Sequence, residues 1–410
     1  MVRPDNHVRR DLLKLAGASV FATISGRAFS QSLSGSSAHS FDAAIDTALQ
    51  EKRIVGCCLV VAEQGQIIFQ RAAGFADREA GRIATLQTPY RLASVTKLFT
   101  TMAALRLCAA GQLAPNDQVS RHLPDFILQM TDGTSANPTV GQLMSHTSGL
   151  DYRFQQPAGG PYAKASVSDG LDRTVPTLAE NIQRIAGVAV DSVPGTTWRY
   201  SVATDILGAV IERVAGTSLD VAIRDLVTGP LGLSVGFHTK DHSLAAPYYN
   251  AGPVPALMSG PTRVPLPFIE GPGVSFDPGR IRDENAWPSG GAGAVGCARD
   301  VLSLLEAYRA GDFLPDKWRQ QARAVRVGAR AQTQGPGWGY SWMGSVLVDP
   351  QAAGSQWSKG SVSWGGVYGA SWGMDFTRGL TFVSLTNTTP EGMIGQYAQD
   401  LAVAFGALGS

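Results

Sequence analysis

The chain is poor in the residues that metal and thiol chemistry need. Its 410 residues include four cysteines and six histidines. Cys57, Cys58, Cys108 and Cys297 fit no metal-ligand spacing. The adjacent pair lies in a strand-like apolar run, where neighbours point to opposite faces, so the cysteines read as buried free thiols. No His-x-His or His-Glu-x-x-His cluster occurs, so the metallohydrolase class drops out and neither metal nor other cofactor is expected. The last histidine is His242. Gly369-Ala370-Ser371-Trp372-Gly373 matches Gly-x-Ser-x-Gly, but a nucleophile elbow needs its acid and then its histidine downstream. Ser371 therefore reads as a strand residue, and His146, close to Ser148, as a structural hydrogen bonder in a turn. A net charge of +1 gives no electrostatic case for nucleic acid or an acidic partner.

Long apolar runs are also missing beyond the N-terminus, so no later segment is expected to span a bilayer. Arg9-Arg10-Asp11-Leu12-Leu13-Lys14 is a twin arginine, followed by an apolar run from Leu15 to Ile24 and the small residues of Ala28-Phe29-Ser30. That run is too short to span, and the pattern reads as a Tat-type signal peptide over residues 1–30, cleaved near Gln31. The expected product, residues 31–410, is periplasmic or secreted, with no stable membrane insertion. It would carry a net charge of about −2, because the first 30 residues hold five basic and two acidic side chains.

With 44% hydrophobic residues the chain can bury a large core. Helical spacing appears from Phe41 to Leu49, then two strand-like runs, 56–62 and 66–70, flank a turn at Glu63-Gln64-Gly65. The stretch from Gly74 to Thr88 looks like a loop. From Leu105 to Leu226 the pattern is mainly helical, with helices predicted at 178–185 and 203–214. Residues 243–288 are dense in proline and glycine and read as irregular. A helix follows from Arg299 to Arg309, then strand-like runs to Leu385, and a closing helix from Ile394 to Leu408. The expected fold is α/β of the α+β type: one antiparallel sheet formed by both chain ends, flanked by helices, with a mostly helical insert. The single catalytic domain divides into an α/β part, about 31–90 plus 290–410, and a helical part, about 91–289.

The chemistry-bearing stretch is Arg91-Leu92-Ala93-Ser94-Val95-Thr96-Lys97. Good helix formers follow, with Leu98, Met102 and Leu105 at helical spacing, so a buried helix is expected to begin near Ser94. Positions i and i+3 share a helix face, which brings Ser94 Oγ and Lys97 Nζ together. A serine needs a base to become a nucleophile, and a desolvated lysine can serve. Tyr200 stands at a loop-to-helix junction, where its hydroxyl can reach a cleft. Trp364-Gly365-Gly366-Val367 lies between strand-like runs, and paired glycines let a backbone come close to a ligand.

Ser94-x-x-Lys97, Tyr200 and a late small-residue strand motif, in that order, resemble the serine β-lactamase-like hydrolases. That superfamily includes class C β-lactamases, D-alanyl-D-alanine carboxypeptidases and family VIII carboxylesterases. Supporting stretches are 143–150, Pro194-Gly195-Thr196, and Gly290–Gly296 leading to Ala298-Arg299-Asp300. The resemblance implies Ser94 as the acylated residue and Lys97 with Tyr200 as its base pair. It implies an oxyanion hole from the N–H groups of Ser94 and Val367, and substrate contacts from Trp364, Gly365 and Gly366. β-Lactamases usually carry asparagine where this chain has Val202, and lysine or histidine where it has Trp364. A Trp-Gly-Gly motif is similar to the esterases. The expected activity is therefore hydrolysis of small neutral esters, with β-lactamase, D-Ala-D-Ala carboxypeptidase, acyltransferase and non-turnover penicillin-sensor roles as alternatives.

Overall fold

The residues from Gly56 to Ala62 are uncharged and all buried, as a strand covered on both faces must be. They make up most of β1 (Gly56–Glu63). The computed structural model describes residues 35–173, 177–267 and 269–408. The Tat reading of residues 1–30 lies outside them. Helix α1 (Gly35–Gln50) precedes β1. The turn at Gln64 and Gly65, with φ of 48° and 83°, folds the chain back into β2 (Gln66–Asp77), followed by β3 (Arg82–Ile83). Helices α2 (Thr96–Ala109), α3 (Ala203–Ala215) and α4 (Ala298–Ala310) come next. Then follow β4 (Trp338–Tyr340), β5 (Ser345–Leu347), β6 (Val362–Gly366), β7 (Ala370–Asp375) and β8 (Leu380–Thr386), and finally α5 (Gln396–Gly406).

The eight strands form one sheet in the order β4-β5-β6-β7-β8-β1-β2-β3, antiparallel at every junction. β8 lies directly against β1, from Cys57 opposite Thr386 to Glu63 opposite Leu380, so both ends of the chain complete the sheet. The period-two alternation of β1 then assigns its side chains to two cores. Cys57, Leu59 and Val61 pack with Phe41 and Ile45 of α1 and with Leu401 and Phe405 of α5. Cys58 and Val60 belong to the other core, with Val301 of α4, Met102 of α2 and Ile206 of α3. All four cysteines are free, and burial pushes the Cys57 thiol up to about 11.

Three elements differ from the sequence expectation. β2 continues to Asp77 where a loop was expected to start at Gly74, because Phe75 pairs with Ile83 and the Asn387 amide donates to the Phe75 and Ala76 carbonyls. The closing helix runs as expected apart from its start, two residues late after the extended Gly395, and a separate short helix, Glu391–Ile394, that was not expected precedes it. The long insert between α2 and α4 holds short ladders as well as helices, including Thr262–Val264 with Val274–Phe276. No helix among the described residues is long and apolar enough to cross a membrane.

Candidate active site

Ser94 sits in a 3₁₀ turn, Ala93–Val95, rather than in the helix proper, which starts at Thr96. Ala93 has a φ of 44°, a left-handed conformation that a non-glycine residue adopts at a cost. It aims the turn, and a Val95 N–H to Leu92 carbonyl bond of 3.1 Å closes it. Lys97 lies in the first turn of α2 and is 5% exposed. Its Nζ reaches Ser94 Oγ at 3.3 Å, as the three-residue spacing requires. The ammonium also donates to the Gly291 carbonyl at 2.7 Å and to the Tyr152 hydroxyl at 2.9 Å. Three donors thus meet three acceptors, and the lysine is fixed in space.

Tyr152 is the residue that sequence reasoning missed. It follows the tight turn Ser145–Leu150, whose Gly149 has a φ of 84°, and nothing in its neighbourhood marks it as different from a packed tyrosine. Burial, and then the neighbouring Tyr200, Asp205 and Asp169, push its hydroxyl well above the ordinary tyrosine value, so it stays a neutral phenol. Tyr200 approaches Lys97 differently, with its ring centre 4.7 Å from Nζ. The Tyr200 hydroxyl accepts a hydrogen bond from the Trp364 indole N–H at 3.3 Å. Trp364 is thus a donor toward the site as well as an apolar wall. Tyr340 and His146 complete an aromatic cluster around Tyr200: the His146 ring lies 4.7 Å from Tyr200 at a tilt of 54°, and Tyr340 lies 5.3 Å from Trp364.

His146 behaves as the structural histidine expected from its turn. Its Nδ1 accepts from the Ser201 N–H at 3.3 Å, which puts the ring proton on Nε2. Burial, helped by the nearby Lys97 charge, holds it well below its ordinary value and therefore neutral.

Trp364, Gly365 and Gly366 are the last residues of β6. β5 pairs only with Val362 and Ser363, so the final three residues face an unpaired side and act as a local edge. A Cβ on Gly366 would lie 2.2 Å from the Leu92 carbonyl oxygen, a contact only glycine permits. The strand end is thereby pressed against the turn that carries Ser94, and Val367 follows, its carbonyl held by Thr389 Oγ1 at 2.8 Å. Ser371 pairs with Gly365 and Ser384 in the sheet, and its Oγ is buried without a partner among the described residues, as the strand reading requires. No group of histidine, cysteine or acidic side chains among the described residues could hold a metal.

A serine held by a buried lysine and ringed by tyrosines, at the edge of a helix-flanked antiparallel sheet, defines a serine hydrolase. The chain belongs to the Beta-lactamase family, which matches residues 41–406. It is 45% identical over 357 residues to Esterase EstB of Burkholderia gladioli, covering 86% of this chain and 91% of the relative. Among solved structures it is similar to EstCE1, described as a hydrolase with promiscuous acyltransferase activity. There the TM-score is 0.87 and the identity 40%, with 90% of this chain and 98% of the other covered. A putative D-alanyl-D-alanine carboxypeptidase of Escherichia coli (strain K12) is 25% identical over 80% of this chain and 77% of its own.

Proposed function

We propose that the protein is a serine carboxylesterase that hydrolyses neutral, short-acyl esters through an acyl-enzyme on Ser94. The identity to Esterase EstB and to the hydrolase EstCE1 supports the reaction class. The observation that carries the choice of ester over β-lactam is Trp364, which offers a neutral N–H where β-lactamases usually place a cation. A tryptophan cannot balance the carboxylate of a β-lactam, but it can wall a pocket for an uncharged ester.

In this reading Ser94 Oγ attacks the ester carbonyl carbon while its proton passes to the Lys97–Tyr200 pair, whose reactive form holds one proton fewer than the ammonium and phenol together. The N–H groups of Ser94 and Val367 stabilise the oxyanion. The tetrahedral intermediate expels the alcohol oxygen, which takes up that proton, and leaves acylated Ser94. Water then attacks the acyl carbon, with Tyr200 removing its proton, and Ser94 Oγ recovers the proton as the acid departs. Tyr152 holds Lys97 and does not titrate.

Acid-quenched mass spectrometry during turnover of nitrophenyl butyrate tests the intermediate. A gain of about 70 Da on the peptide containing Ser94 is expected from butyrylation. Faster hydrolysis of cephalosporins than of any simple ester would overturn the substrate class. Acyl transfer is the second reading, favoured by the activity described for EstCE1. Product analysis with an added alcohol separates it from hydrolysis. Export through the twin-arginine segment is part of the same proposal, and the N-terminus of the secreted protein, expected at Gln31, tests it.

A further inference from the structure

Asp205 lies on α3 with no exposed surface. Its Oδ1 accepts from Ser289 Oγ at 2.7 Å and from the Gly291 N–H at 2.9 Å. Ser289 Oγ in turn accepts from the Ala292 N–H at 3.1 Å. One carboxylate oxygen therefore fixes the whole 289–292 turn. That turn presents the Gly291 carbonyl to Lys97 Nζ, and the Gly290 carbonyl accepts from Thr100 Oγ1 at 2.8 Å, on the same helix as Lys97.

The other oxygen, Oδ2, is buried with no partner among the described residues. Burying a half-satisfied carboxylate costs stability, and a neutral asparagine could take the same two bonds through its one carbonyl oxygen. The surroundings nevertheless close tightly on the carboxyl group. A Cβ on Gly291 would lie 3.2 Å from Oδ2 and 3.4 Å from the Tyr152 hydroxyl. On Gly170, whose φ is 82°, a Cβ would meet Ser289 Oγ at 2.3 Å and Oδ2 at 3.4 Å. Glycine backbone thus closes on the carboxylate from two sides, and the Tyr152–Lys97 contact sits directly behind it. The charged or titratable groups facing Asp205 are Lys97 from α2, Tyr152 from the loop after Leu150, and Arg280 from the 3₁₀ segment Pro278–Arg282. Tyr200 and His146 are the further titratable groups around Lys97.

We propose that Asp205 is a positioning residue for the hydrolysis. It holds the 289–292 turn so that the Gly291 carbonyl keeps Lys97 Nζ on Ser94 Oγ, and it supplies the buried countercharge to that ammonium. This rests on the reading of Ser94 as the acylated residue and Lys97 as part of its base.

The test compares Asp205→Asn and Ser289→Ala with the unaltered protein and with Ser94→Ala, recording kcat, KM, the acid limb of the pH–rate profile and the melting temperature. For Asp205→Asn, which keeps both bonds to the turn and loses only the charge, kcat is expected to fall ~10–100-fold with KM within about twofold, because the ammonium loses its buried countercharge. The acid limb is expected to move to lower pH, since loss of a buried negative charge beside the site disfavours bound protons there. Ser289→Ala keeps the charge and loosens the turn, so it lowers kcat with the limb in place. A folded Asp205→Asn with unaltered kcat, or one whose acid limb does not move, overturns the proposal. If Asp205→Asn does not fold, Ser289→Ala decides: kcat equal to that of the unaltered protein overturns it. Activity surviving in Ser94→Ala would instead overturn the underlying esterase reading.

Discussion

Tyr152 and Tyr200 meet the same lysine, and the proposed mechanism gives the proton exchange to Tyr200. Tyr152 accepts from Lys97 inside a fully buried setting beside two carboxylates, whereas the Tyr200 hydroxyl faces the Trp364 indole N–H. Replacing Tyr200 with phenylalanine should lower kcat by ~10²–10⁴, the usual contribution of a general base. Tyr152→Phe should cost less, about tenfold, because it removes an anchor and leaves the proton path intact. Steady-state kinetics on both variants check this, and the reverse ranking would exchange their roles. His146 supplies a second residue-scale test. Its folded value lies below its ordinary one, so the unfolded chain binds the extra proton as pH falls. Its contribution to stability is therefore present above about 6.5 and lost below it, with a slope of up to about 1.4 kcal/mol per pH unit. His146→Asn keeps an acceptor for the Ser201 N–H, tolerates the φ of 54°, and should flatten that part of the stability–pH curve in denaturant titrations.

At the scale of elements, the site is a meeting of one turn with one strand end. Gly366 lets β6 press against Leu92, and the short pairing of β5 leaves Trp364 to Gly366 free on one side. Gly366→Ala would insert a methyl group against a backbone carbonyl that cannot rotate away. It should reduce kcat/KM by more than ~10-fold through a displacement of the strand from Ser94. A value equal to that of the unaltered protein would show that the strand end has no part in catalysis. Much of this was legible in the sequence, because the information was local. A three-residue spacing fixed the Ser94–Lys97 contact, and the paired glycines marked a close approach. Tyr152, the donor role of Trp364 and the carboxylate of Asp205 were not legible. Each depends on which loops the tertiary fold brings to Lys97, and no spacing along the chain encodes that. The 3₁₀ start at Ser94 was missed for a related reason: good helix formers follow it, but the positive φ at Ala93 is imposed by the neighbouring strand and turn.

Across the whole molecule, the sheet joins the first and last parts of the chain, so the C-terminal helix is structural. Phe405 of α5 packs 4.7 Å from Trp357 and 4.9 Å from Phe382, against the face of the sheet that α1 also covers. Phe405→Ala should cost about 3–5 kcal/mol of stability, read from the denaturant midpoint, with kcat of the folded protein little changed. The fold was readable because both ends carry strand patterns bounded by turns, and β1 is apolar enough to lie between two helical layers. The central claim is that this frame serves one nucleophile. Hydrolysis of nitrophenyl butyrate by the purified protein and by Ser94→Ala tests it most directly. The account predicts a robust rate in the first and its loss in a second protein with an unaltered fold. An unaltered rate in Ser94→Ala would contradict it and return Ser371 to consideration.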